Sequence, residues 1–231
     1  MMLCRHRLPA RQRVQGFSLV ELSVVLVVMA ILAGAVMAGV NVYRQAMVQR
    51  MYGDFVMGWR TAYLAFVANS FGVQPGDNGN APAYAVGGAV NTPLCGDALI
   101  NALQARGIAL PQGRTAGSPD RYVYPDKQGI PHELRVCMMT VPWTLPVAVG
   151  TFQNAPRHVL RLTGLTPEAA ASFDVMTDGA LDASVGEFRE QGSEAGLGTA
   201  AAAWTADENA TMGGVAEGQS VELTAYLLVG R

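Results

Sequence analysis

The sequence predicts an α+β protein: one long N-terminal helix followed by a small globular head built on an antiparallel sheet. Three observations predict it. Residues 17–40 form an uninterrupted apolar run with a single charge and no proline. Apolar and aromatic residues then recur at three- to four-residue spacing as far as Phe66, and beyond residue 71 turn-rich segments separate short helical and strand-like patterns. The implied divisions are a leader over 1–16, a helix over 17–70 and a globular region over 71–231.

Charge sharpens the first division. The chain has a formal net charge of −2 over 231 residues. Residues 1–16 carry Arg5, Arg7, Arg11 and Arg13 with no acid, so the remainder is acidic. There is a single lysine, Lys127, and the arginines of the body are scattered. An acidic body without a basic patch argues against direct nucleic-acid binding.

The run from Phe17 to Val40 is long enough, at about 1.5 Å per residue, to cross a hydrocarbon core of about 30 Å. The upstream arginines predict a cytoplasmic N-terminus. A secretory signal peptide has a shorter apolar core and a small-residue cleavage site, which the Ala-Gly pairs near the end of the run imitate. Neither that reading nor a plain anchor accounts for Glu21. An acid at the centre of a membrane helix costs about 2.5–3.5 kcal/mol, less near its end, so Glu21 calls for a partner.

Gly16-Phe17-Ser18-Leu19-Val20-Glu21, with the apolar stretch from Leu22 to Ile31, resembles the processing motif of bacterial type IV prepilins and type II secretion pseudopilins. The resemblance covers roughly residues 16–45. It implies a prepilin peptidase that cuts after Gly16 and methylates the new N-terminus at Phe17. It also implies that Glu21 pairs with Phe17 of a neighbouring pilin or pseudopilin subunit, and that the head sits on a helical stick. The resemblance further implies that the inner membrane holds the subunit, its head periplasmic, before it enters a periplasmic or cell-surface filament. Where many pilins kink at a proline, this chain has Ala38 and Gly39, which keep the backbone N–H but weaken the helix locally. The alternative function is a periplasmic binding domain or enzyme, either membrane-anchored or released by signal peptidase.

Past the membrane run, Tyr43, Met47, Met51, Phe55, Trp59, Tyr63 and Phe66 make one apolar stripe, read as core. Phe71–Asn80 ends the helix. Cys95–Arg106 reads as a short helix with Asp97 as its N-cap and Gly107 past its end. Arg121–Tyr124, Glu133–Val141, His158–Leu162 and Val221–Val229 read as strands. Thr166-Pro167 opens a helix to about Phe173, with Thr177-Asp178-Gly179 as a turn. Residues 190–219 read as loop.

Cys4 falls in the leader, leaving Cys95 and Cys137. An even pair in an exported domain predicts a disulfide, two unrelated buried thiols being the alternative. The cysteines lie mid-chain, which favours a minor pilin or pseudopilin over a major pilin.

No catalytic constellation stands out, and the expectation is a non-enzyme without cofactor or metal. His6 is in the leader, and His132 and His158 lack ligand spacing. Asp77 with Asn78 and Asn80, and Asp207 with Glu208 and Asn209, offer oxygens to calcium but read first as solvated turns. Gly196-Leu197-Gly198 is not followed by a phosphate-binding pattern, and Asn209-Ala210-Thr211 matches a glycosylation acceptor.

Overall fold

The computed structural model describes residues 16–77, 84–115, 117–196, 202–206, 211–212, 215–216 and 221–230. The chain divides into two compact units between Tyr43 and Arg44.

Helical backbone begins with α1 (Leu19–Arg50), widens to a π-helical turn over Met51–Val56 and continues as α2 (Met57–Asn69). The backbone stays α-helical through Ala38 and Gly39. The irregularity lies instead at Met51–Val56. One extra residue per turn there sets Phe55 and Val56 side by side in the core. The predicted stripe is buried at Met51, Phe55, Trp59, Tyr63 and Phe66, while Tyr43, in the first unit, is exposed.

The second unit carries a six-stranded antiparallel sheet. Its strands are β1 (Leu94–Cys95), β2 (Arg121–Pro125), β3 (Pro131–Ala148), β4 (Thr151–Leu165), β5 (Phe188–Glu190) and β8 (Leu223–Leu228). The order is β1-β3-β4-β8-β5, with β2 also on β3. A two-stranded ladder, β6 (Thr211–Met212) with β7 (Val215–Ala216), stands apart from it. One sheet face sets Leu134, Val136, Met138, Leu160, Leu162 and Leu227 against the aromatic residues of the Met51–Asn69 helix, with Leu99 and Phe173. The other face holds a separate cluster of Met139, Val141, Trp143, Val159, Tyr226 and Leu228.

Several expected elements differ. The strands expected at Glu133–Val141 and His158–Leu162 are the central parts of an 18- and a 15-residue strand. Pro142, Pro146 and Pro156 argue against strand on sequence, but Pro142 faces Pro156 where β8 no longer covers β4. The ribbon then curls over the outer sheet face. Although β3 and β5 are separated by β4 and β8, the Thr144 N–H donates to the Glu194 carbonyl and Arg189 donates to the Thr144 carbonyl.

Helix α3 spans Gly96–Gln104 with Cys95, not Asp97, at its cap, and Asp97 lies in the first turn. Cys95 is extended because it also pairs with β3. Helix α4 (Pro167–Asp178) runs past Phe173, so Thr177-Asp178-Gly179 is its last turn and left-handed cap rather than a free turn. Thr166 does cap it, accepting from the Ala169 N–H at 3.3 Å. Glu190, expected in a loop, ends β5, whose short length hides it from pattern reading.

Candidate processing and assembly site

The site begins at Gly16 and the first turn of α1. Ser18 and Glu21 form a reciprocal capping box. The Glu21 N–H donates to Ser18 Oγ at 3.1 Å, and Glu21 Oε2 accepts from both the Ser18 N–H and the Ser18 hydroxyl at 3.1 Å. Both bonds use Oε2, and no hydrogen bond among the described residues engages Oε1. The carboxylate therefore answers its own helix terminus, with its second oxygen available for a donor from outside the chain.

Phe17 is 87% exposed and Leu19 equally so. From Leu22 to Val42 the large apolar side chains point outward on every side, none of them buried by the chain. A helix apolar all round needs lipid or other helices as surroundings. The sequence reading singled out Glu21 and Phe17 but missed Ser18. Its signal was the S-x-x-E spacing immediately before an apolar run.

Cys95 and Cys137 are joined by a disulfide across the β1–β3 pairing. The two histidines among the described residues, His132 and His158, are held by hydrogen-bond partners. Each ring nitrogen of His132 lies 3.2 Å from a carboxylate oxygen, of Asp126 on one side and Glu222 on the other. His158 Nδ1 meets Thr140 Oγ1 at 2.9 Å, and that hydroxyl also accepts from the Val86 N–H. Burial, with Arg157 close by, pushes the His158 imidazole below its ordinary range.

Of the two calcium candidates, Asp77 accepts the Tyr84 N–H at 2.8 Å. Asn78, Asn80, Asp207, Glu208 and Asn209 lie outside the described residues, as do Leu197, Gly198 and the leader to residue 15. Among the described residues, no three His, Cys, Asp or Glu side chains converge as a metal site.

An apolar N-terminal helix opening on an acid-bearing capping box, followed by a small antiparallel α+β unit, defines a pilin-like class of architecture. The prokaryotic N-terminal methylation motif matches residues 11–37. Over those residues the chain thus carries the signature of type IV prepilins and pseudopilins. The motif implies processing by prepilin peptidase and assembly with other pilin subunits, and the one long apolar helix among the described residues is compatible with a single-pass inner-membrane anchor. Neither curated proteins nor solved structures give a significant match.

Proposed function

We propose that the chain is a structural, non-catalytic subunit, a minor pilin or pseudopilin, of a type IV or type II secretion filament. Prepilin peptidase cuts after Gly16 and methylates Phe17. The helix stays in the inner membrane with the head in the periplasm until neighbouring subunits take it up. In the filament, Glu21 accepts from the Phe17 ammonium of an adjacent subunit.

The observation that carries this reading is the state of Glu21. It sits in an apolar helix, caps that helix through Oε2 and keeps Oε1 for an incoming donor. Cleavage before Phe17 creates an α-amino group of pKa about 8, cationic at neutral pH. Bringing cation and carboxylate together offsets two charges that hydrocarbon disfavours, and it fixes the axial stagger of the helices.

Mass spectrometry of the mature protein tests the processing. A chain starting at methylated Phe17 is expected. A chain starting beyond Ala38, or one keeping the arginine-rich leader, would overturn the reading. Disulfide crosslinking between cysteines introduced over 17–45 tests assembly, with staggered dimers expected in the membrane.

A further inference from the structure

The curl of the β3–β4 ribbon leaves a cavity of about 500 Å³ between the ribbon and the β5 loop, lined by Trp143, Leu145, Phe152, Arg157, Glu187 and Arg189 among others. Its walls are mainly apolar, yet two arginines belong to the lining. Arg189 lies flat over the Trp143 ring at 4.2 Å and donates only to carbonyls, those of Gly186, Glu194 and Thr144. The carboxylates of Asp178, Asp182 and Glu194 act on it from beyond contact.

Arg157 is less provided for. It is half-buried in the cavity lining and forms no ion pair among the described residues. Glu187, the acid in the lining, is engaged by Arg60 at 3.1 Å. An arginine with no counter-charge of its own, set among mainly apolar walls, suits an anion that brings apolar surface with it.

We propose that this cavity recognises a partner polypeptide. The partner inserts a carboxylate side chain against Arg157 and an adjoining aliphatic or aromatic side chain against Trp143 and Phe152. The rim distinguishes a polypeptide from a lipid. No charged residue occurs from Thr140 to Pro156, and the hairpin tip presents Val149 fully and Val147 by more than half to solvent. A surface that lies on anionic lipid fringes its apolar contact with Lys and Arg. Here the arginines belong to the cavity lining and the ribbon beside them is uncharged. The acid must be carried inward beside an apolar group, as neighbouring side chains on one peptide do, and the bare valines extend the contact outside.

The test uses the mature chain in phosphatidylcholine nanodiscs and a fluorescent peptide, Ala-Phe-Asp-Phe-Ala, blocked at both ends. Saturable binding is expected by fluorescence polarisation. Replacing the peptide's Asp by Asn, or Arg157 by Met in the protein, should each weaken it at least tenfold, while Arg157→Lys keeps part of it. The peptide exchange decides the question on wild-type protein even if Arg157→Met impairs folding. Equal affinity for the two peptides, or no binding at millimolar concentration, overturns the proposal. So does Arg157-dependent capture of phosphatidylglycerol vesicles without peptide binding, which would reassign the cavity to lipid. Binding is read on unassembled protein, so its failure is distinguishable from failure of the filament reading.

Discussion

Ser18 and Glu21 satisfy each other at the mouth of α1: the hydroxyl accepts the Glu21 N–H, and the carboxylate accepts from the Ser18 backbone and hydroxyl. In a helix with apolar residues on every side, these are the groups that answer orphan N–H donors in a medium without water. The carboxylate proposed to pair subunits is thereby held at a fixed place on the helix end.

Ser18→Ala should therefore act on assembly while leaving cleavage intact. Loss of an N-cap costs about 1 kcal/mol, equivalent to roughly fivefold faster exchange of the Glu21 amide where local opening governs it. Exchange in micelles and filament yield are the two measurements. Glu21→Ala should cut incorporation into filaments further, since it removes both the cap partner and the pairing oxygen. Normal incorporation of Glu21→Ala would be incompatible with the pairing.

Much of this arrangement was legible in the sequence. The apolar run and its lone acid announce the helix and its chemistry, and the stripe from Met51 to Phe66 announces the core. The reading stops where tertiary contacts override local signals. Prolines at 142, 146 and 156 disguise a ribbon that leaves the cover of β8, and Cys95 takes the cap position from Asp97 because β3 holds it extended. The cavity is illegible for the same reason. Trp143, Arg157 and Arg189 come together only through the curl that joins Thr144 to Glu194.

The Cys95–Cys137 bond ties α3 and β1 to the middle of β3, closing a loop with a sequence separation of 42. In the chain-entropy model such a loop contributes about 4 kcal/mol. Reduction, or the double change Cys95→Ser with Cys137→Ser, should lower the unfolding free energy of the head by that amount, read as a lower urea midpoint, without altering the site at Phe17. A midpoint unchanged by reductant would show that the bond does not constrain the unfolded chain.

Tyr124 ties two elements. Its hydroxyl donates to the Gly164 carbonyl at 2.9 Å and accepts from the Thr166 N–H at 2.8 Å, next to the register shift between Thr163 and Leu165. Gly164 has φ of +82°, and a Cβ there would lie 2.1 Å from the Glu133 carbonyl oxygen. Burial pushes the Tyr124 phenol up to about 12. Tyr124→Phe leaves a buried donor and acceptor unmet and should cost about 2–3 kcal/mol in equilibrium unfolding. Tyr122→Phe, at a partly buried ring on the same strand, is the control and should cost less.

Two aspartates give the head opposite pH dependences. Asp174 is fully buried, and burial raises its carboxyl to about 6, against the N–H donors of Asp182 and Trp204 that favour the charged form. A folded pKa above the unfolded value means that the folded state holds the proton more tightly. This contribution is complete below about pH 4 and is lost as pH rises through 6, a difference of about 3 kcal/mol. Asp126 is the reverse. Burial opposes its charge, but the Ile130 N–H, His132 and the Gln128 N–H outweigh burial and hold the carboxyl below its ordinary range. Its contribution is present above about pH 4 and is lost as pH falls through the folded value. Stability should therefore decline on both sides of a maximum between about pH 4 and 6. Asp174→Asn should flatten the decline on the alkaline side, and Asp126→Asn the decline on the acid side. Urea midpoints measured from pH 3 to 8 would separate the two. An alkaline limb that persists in Asp174→Asn would remove Asp174 as its source.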